Sequence, residues 1–180
     1  RWGQGDWVDL STGINRQPYP APRLSPGAWT SLPTASATAA LMEAAATAFG
    51  TAAPGLAMAG AQAAIQMIPL LERPGLARVL APTYNEHAAC LRQVGWHVEE
   101  VARLEELSGA DLAVVVNPNN PDGRRCRKED LLGLQVGRLI VDESFADPVP
   151  AESLIAKASD RLLVMRSFGK FWGLAGLRLG

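Results

Sequence analysis

The chain has 180 residues, 48% of them hydrophobic and 19% charged, with 17 basic side chains against 18 acidic ones and a net charge of −1. This excludes a disordered segment, because a chain so apolar can fill a core. It also excludes the basic footprint of a nucleic-acid binder and the polybasic arm of a membrane-surface protein.

No apolar run reaches the roughly 18 residues of a membrane span, and no signal-like pattern opens the chain. Two cysteines, Cys90 and Cys126, fit a reducing compartment. The expectation is a cytoplasmic protein with no membrane or nucleic-acid partner. Position 1 is not methionine and the end falls inside the strand-like run Leu177-Arg178-Leu179-Gly180, so both ends read as cut.

Residues 1–34 hold Pro18, Pro20, Pro22, Pro26 and Pro33, which forbid a long helix or a central strand and predict an arm. Alanine-rich residues 35–49 place Leu41, Met42, Ala45 and Phe49 at helical spacing, and Gly50 supplies the stop. Apolar runs at 55–59, 77–82, 112–116, 138–142 and 161–166 then predict buried strands, with 97–101 an edge strand or a connection. Helical stretches at 61–71, 84–95, 127–134 and 151–157 separate them. This alternation predicts a three-layer α/β/α domain with a mostly parallel sheet, spanning 35–180 behind the arm of 1–34.

In such sheets ligands sit outside the carboxyl ends of the strands. Those ends carry Gly60-Ala61-Gln62, Pro82-Thr83-Tyr84, Asn117 to Pro121, Asp142-Glu143-Ser144-Phe145, and Ser167-Phe168-Gly169-Lys170 followed by Arg178. Each alone has a structural explanation: a turn at Asn117, a helix cap at Asp142, a solvated lysine at 170. Their joint order asks for more. The only lysines are Lys128, Lys157 and Lys170, and Lys170 amid Phe168, Phe171 and Trp172 is expected to be partly desolvated, which favours the neutral nucleophilic amine. Backbone N–H groups at Ala61 with Ser167 and Arg178 suit a phosphate. Tyr84 suits an aromatic plate, Asn120 a phenolate oxygen, and Asp142 a protonated ring nitrogen. Together they describe pyridoxal 5′-phosphate.

These motifs make the chain similar to the fold-type I pyridoxal-phosphate enzymes, in the branch that holds histidinol-phosphate aminotransferases and threonine-phosphate decarboxylases. The resemblance runs in order through Ser11-Thr12-Gly13-Ile14-Asn15, Gly60 to Gln66, Pro82-Thr83-Tyr84, Asn117 to Pro121 with Gly123, Asp142-Glu143, and Ser167 to Gly180. It implies that Lys170 forms the Schiff base and shuttles protons, and that Asp142 pairs with the pyridine nitrogen. It further implies that Asn120 binds the ring oxygen, that Tyr84 stacks on the ring, and that Ala61, Gln62 (by backbone and side chain), Ser167 and Arg178 surround the phosphate. Gly13, Asn15 and Asn120 fall on the substrate side. The family is typically dimeric, which implies a homodimer with the helix at 35–49 in the contact, and a C-terminal small domain that this chain lacks.

Two positions depart from the family pattern. Phe145 stands where a tyrosine often donates to the ring oxygen, and Leu32, before Pro33, stands where a second tyrosine reaches the neighbouring subunit's phosphate. Within the branch the motifs look more like the cobalamin-pathway decarboxylases. That resemblance implies conversion of L-threonine O-3-phosphate to (R)-1-amino-2-propanol O-2-phosphate, with a histidinol-phosphate-type aminotransferase or a non-catalytic cofactor-binding domain as alternatives. A dinucleotide module from Gly173 to Gly180 is set aside, because its glycines follow the lysine instead of opening a β-α unit. His87, Cys90 and His97 read as structural residues before they read as metal ligands.

Overall fold

The protein is described from a computed structural model, over Gly5 and residues 11–180; the part of the expected arm at 1–4 and 6–10 lies outside the described residues. Four of the apolar runs and the 97–101 segment assemble into one sheet of β1 (Leu76–Leu80), β2 (His97–Val101), β3 (Leu112–Val116), β4 (Arg138–Asp142) and β5 (Leu162–Met165). Its order is β2-β1-β3-β4-β5 and every pairing is parallel. All five residues of the central strand β3 are buried, which is why its sequence, Leu-Ala-Val-Val-Val, shows no polar alternation. The 97–101 segment is an edge strand, paired from Leu76 with His97 to Leu80 with Val101.

Successive residues of β3 serve opposite faces. Leu112 and Val114 join Ile65, Ala88 and Leu91 from α3 (Ala61–Met67) and α4 (Glu86–Gln93). Ala113 and Val115 join Leu107, Leu131 and Leu154 on the other face, under α5 (Lys128–Leu132) and short 3₁₀ turns. The sheet is thus covered on both sides, the expected three layers. In the arm, α1 is a single turn (Gly27–Thr30) with no buried residue.

The 15-residue helix α2 (Ala35–Phe49) begins where the Thr34 hydroxyl accepts from Ala37 N at 3.1 Å and ends at Gly50, whose φ of 62° suits glycine. None of its residues is fully buried. Leu41, Met42, Ala45, Ala46 and Phe49 line a groove of about 150 Å3 shared with Leu56, Ile155 and Phe168. Among the described residues, no helix is long and apolar enough to cross a membrane.

Three expectations are corrected. Residues 55–59 form no strand: Pro54 lacks a donor, and beyond the local Gly60 N to Met58 O bond at 2.7 Å the segment's backbone meets Gly180, through Met58 N to Gly180 O at 2.8 Å and Gly180 N to Met58 O at 3.2 Å. One exchanged pair is not a ladder. Residues 151–157 are two 3₁₀ turns, Pro150–Glu152 and Ile155–Lys157, because the buried Glu143 carboxylate takes Leu154 N at 2.6 Å and draws it out of any helical ladder. The helix expected over 61–71 stays α-helical only to Met67 and tightens into a 3₁₀ turn at Ile68–Leu70, where Pro69 withholds its donor.

Candidate active site

The chain runs from β1 out to the edge strand β2 and returns to β3 on the other side of β1, so the strand order reverses between β1 and β3. A crevice is expected at the carboxyl ends there. A cavity of about 460 Å3 opens at that place, and Ala61, Gln62, Tyr84, Asn120, Asp142, Ser167, Lys170 and Arg178 all line it.

Asp142, the last residue of β4, is 3% exposed. Its Oδ1 accepts from Ser144 N at 2.9 Å and from the Ser144 hydroxyl at 2.6 Å, while His87 Nε2 lies 3.0 Å from Oδ2. An ionised carboxylate only accepts, so His87 carries its proton on Nε2. Burial pushes the Asp142 carboxyl up, but the hydrogen bond and charge of His87 and the two bonds from Ser144 outweigh it and hold the group below the usual carboxylate value. The site thereby keeps an anion buried inside the fold.

Lys170 is half-buried. Its Nζ sits 5.6 Å from the centre of the Phe145 ring, so the aromatic face at its amine belongs to Phe145, not to the three aromatic residues near it in sequence. Phe171 is 39% exposed and, like Tyr19, stands edge-on to Trp172. The arm straps this loop down: Asn15 N donates to Lys170 O at 3.0 Å, Asn15 Nδ2 to Phe171 O at 2.8 Å, and Tyr19 N to Trp172 O at 2.8 Å. Gly13 and Asn15 line a second, shallower cavity of about 290 Å3 with Ile14, Phe145 and Lys170. The Asn15 amide is committed to backbone, its Oδ1 accepting from Gln17 N at 2.9 Å, and Ile14 borders both cavities.

At the other end, Gly60 has φ 78° and delivers the chain into α3, whose first N–H groups, on Ala61 and Gln62, have no acceptor one turn back. A Cβ on Gly60 would lie 2.9 Å from Arg178 Nη2, and one on Gly180 would lie 2.8 Å from Ala61 N. Glycine at both places lets the guanidinium and two backbones close around the helix start. Arg178 itself has φ 52° and ψ 49°, a left-handed backbone that costs a residue with a Cβ about 1–2 kcal/mol. Such strain persists where the surroundings over-determine it. The Gln62 side chain departs from the expected role: its Nε2 donates to Glu86 Oε2 at 3.2 Å and its Oε1 accepts from the Tyr84 hydroxyl at 3.3 Å. Only its backbone is left for an anion. Burial, then the negative charges of Glu86, Asp142 and Cys90, push the Tyr84 hydroxyl above its ordinary value.

The sequence assigns no site role to His87, which reads there as structural, nor to Ser144, Glu86 and Ile14. Ser144 had a local signal, since an aspartate two residues before a serine forms such a turn. His87 had none, its partner being 55 residues away. His97 lies exposed beside Glu99, away from His87. Among the described residues no three His, Cys, Asp or Glu side chains are grouped to hold a metal ion.

Comparison with known proteins follows the same pattern. The family model for aminotransferase class I and II matches residues 6–180. Threonine-phosphate decarboxylase of Pseudomonas aeruginosa is 46% identical over 97% of this chain and 55% of its own length. A histidinol-phosphate aminotransferase of Mycobacterium bovis is 40% identical over 59% of this chain and 33% of its own. The solved histidinol-phosphate aminotransferase of Clostridium acetobutylicum superposes with a TM-score of 0.75 at 19% identity, over 97% of this chain and 59% of that one, a likeness of fold. The chain spans about half the length of the curated relatives it matches. On the family match and the decarboxylase identity together, the chain belongs to the aminotransferase class I and II family.

Proposed function

We propose that the protein binds pyridoxal 5′-phosphate in the larger cavity and decarboxylates L-threonine O-3-phosphate. The observation that carries this reading is the convergence of the eight residues named for cofactor binding on one cavity wall. The donor set suits the group. Two unpaired helix N–H groups, the Ser167 hydroxyl and the Arg178 guanidinium match a phosphate in number and charge. The anionic Asp142 matches a protonated ring nitrogen, and the Lys170 amine matches an aldehyde.

When bound, pyridoxal phosphate supplies an electron sink for the bonds at a substrate's α-carbon. The chain's residues supply the rest. His87 and Ser144 keep Asp142 ionised and aimed. Asn120 offers an amide to the ring oxygen and carries more of that duty than in relatives with tyrosine at the place of Phe145. Tyr84 covers one face of the ring. As the bond from the α-carbon to the carboxylate breaks and carbon dioxide leaves, Lys170 delivers a proton to the α-carbon. Gly13 and Asn15 border the substrate side.

The decarboxylase reading is supported by identity of 46% carried through nearly the whole chain, against 40% over 59% of it for the aminotransferase. In the intact protein, O-phosphothreonine should release carbon dioxide and leave (R)-1-amino-2-propanol O-2-phosphate. Amino-group exchange with 2-oxoglutarate and no carbon dioxide would establish the aminotransferase instead; bound cofactor with neither activity would leave a binding domain. Borohydride reduction should fix the cofactor on Lys170, and label on Lys128 or Lys157 would overturn the site. The same reading takes the arm as 1–34, the cofactor-binding domain as 35–180, and the intact protein as a homodimer with the α2 groove against a second copy. Sedimentation at a single chain's mass would count against the dimer.

A further inference from the structure

The run Asn117-Pro118-Asn119-Asn120-Pro121 holds three asparagines with three different employments. Asn117 closes its own loop, accepting from Cys126 N at 2.9 Å and donating to Cys126 O at 3.2 Å. Asn120 faces the cavity, and its amide bonds to none of the described residues. Asn119 does something else. It is 6% exposed, and its side chain bridges two loops: Oδ1 accepts from the Thr83 hydroxyl at 2.6 Å, and Nδ2 donates to Pro82 O at 2.9 Å and to Asp122 Oδ1 at 2.8 Å. Both amide hydrogens and the amide oxygen are therefore used.

The two bridged loops leave adjacent strands, β1 and β3. In each, the residue next to the bridge faces the cavity: Tyr84 follows Thr83, and Asn120 follows Asn119. A buried, fully satisfied amide admits one geometry, because any shift leaves a donor or acceptor unpaired in a dry place. We propose that Asn119 and Thr83 are positioning residues, a strut that sets the spacing between Tyr84 and Asn120 across the cofactor cavity. The proposal rests on the cofactor reading above, in which those two groups hold the face and the ring oxygen of one ring. A strut at this place, beside the longer Arg124 Nη2 to Ala81 O bond at 3.4 Å, holds the two loops as one wall.

A spacing matters only when both of its ends are present, and that separates positioning from general stability. The test is the dissociation constant for pyridoxal 5′-phosphate, measured by quenching of tryptophan fluorescence in the intact protein, alongside the thermal midpoint. Thr83→Val keeps the shape and removes only the hydroxyl, without the buried void that Asn119→Ala would open. Loss of one such hydrogen bond should weaken binding about fivefold to tenfold. In a Tyr84→Ala or an Asn120→Ala background, where binding is already weakened, Thr83→Val should cost less than about twofold more. A full, additive loss in those backgrounds would overturn the proposal, as would a lowered thermal midpoint with unchanged binding. If Tyr84→Ala and Asn120→Ala bind as the parent does, the cofactor reading falls and the strut with it. If they weaken binding and Thr83→Val does not, the strut alone falls.

Discussion

Asp142 and Lys170 were visible in the sequence because they stand where strands end, and a parallel sheet presents such ends at one edge. What was not visible is how each is held. His87 reaches Asp142 from another element, and a pairing across the fold leaves no periodic or local trace. The Phe145 ring under Lys170 was legible as a departure from tyrosine but not as the amine's neighbour. His87→Ala leaves the buried Asp142 with Ser144 alone, which should cost about 1–3 kcal/mol of stability. The sign with pH follows from the depressed carboxyl. Stability from the pair is present above the unfolded carboxylate value near about 4 and is lost as pH falls through the lower folded value. Urea denaturation across pH should show parent and variant apart at pH 6 and converging in acid; an equal gap throughout would contradict the pairing.

At the scale of elements, β4 and β5 are tied beyond their ladder by an ionic cluster. Arg166, just past β5, binds Glu143 at 3.0 Å and Asp147 at 2.7 Å, with side-chain exposures of 9%, 1% and 6%. The Ser153 hydroxyl also donates to Glu143, Trp172 Nε1 to Asp147 at 3.2 Å, and the guanidinium lies 4.8 Å over the Phe49 ring of α2. The loop after β4, the Ser153 turn and α2 thus meet on Arg166, with Trp172 joined through Asp147. Arg166→Met should destabilise by about 3–5 kcal/mol, because two carboxylates lose their cation while still buried. Chemical denaturation measures it, and a loss under 1 kcal/mol would mean that solvent reaches the cluster. This cluster also explains the misread 151–157 segment. Its helical composition is real, but a buried carboxylate from β4 competes for Leu154 N, and a tertiary bond of that kind outranks propensity. β1, β3, β4 and β5 were legible because buried parallel strands are continuous apolar runs, whereas β2, with Glu99 and Glu100 in an edge position, reads equally as an edge strand or a connection. Residues 55–59 have the composition without the neighbour, and composition cannot report a missing partner.

At the scale of the whole molecule, the arm is joined to the lysine loop over a long sequence distance. Gly173 is the meeting point: its φ is 66°, and a Cβ there would lie 2.8 Å from both Asn15 O and Pro18 Cα. Gly173→Ala should lift the arm and speed tryptic cleavage after Arg23 severalfold, with little change in the sheet's far-ultraviolet signal. Unchanged cleavage would mean that the loop absorbs the methyl group. The arm's prolines announced an irregular segment, but they gave no sign that Ile14 would border both cavities beside Phe145, a meeting of residues distant in sequence.

Among the described residues, the walls of the main cavity begin at Ile14 and end at Leu179. A ribosome makes Ile14 long before Leu179, so a nascent chain that stops short of Leu179 cannot present the complete pocket. The sheet can collapse on its apolar strands as they emerge, whereas the Met58 N–H waits for the Gly180 carbonyl. The order of synthesis therefore acts as a lock on the site: a partly made chain is denied the closed pocket, and only the polypeptide that has passed Gly180 can assemble it.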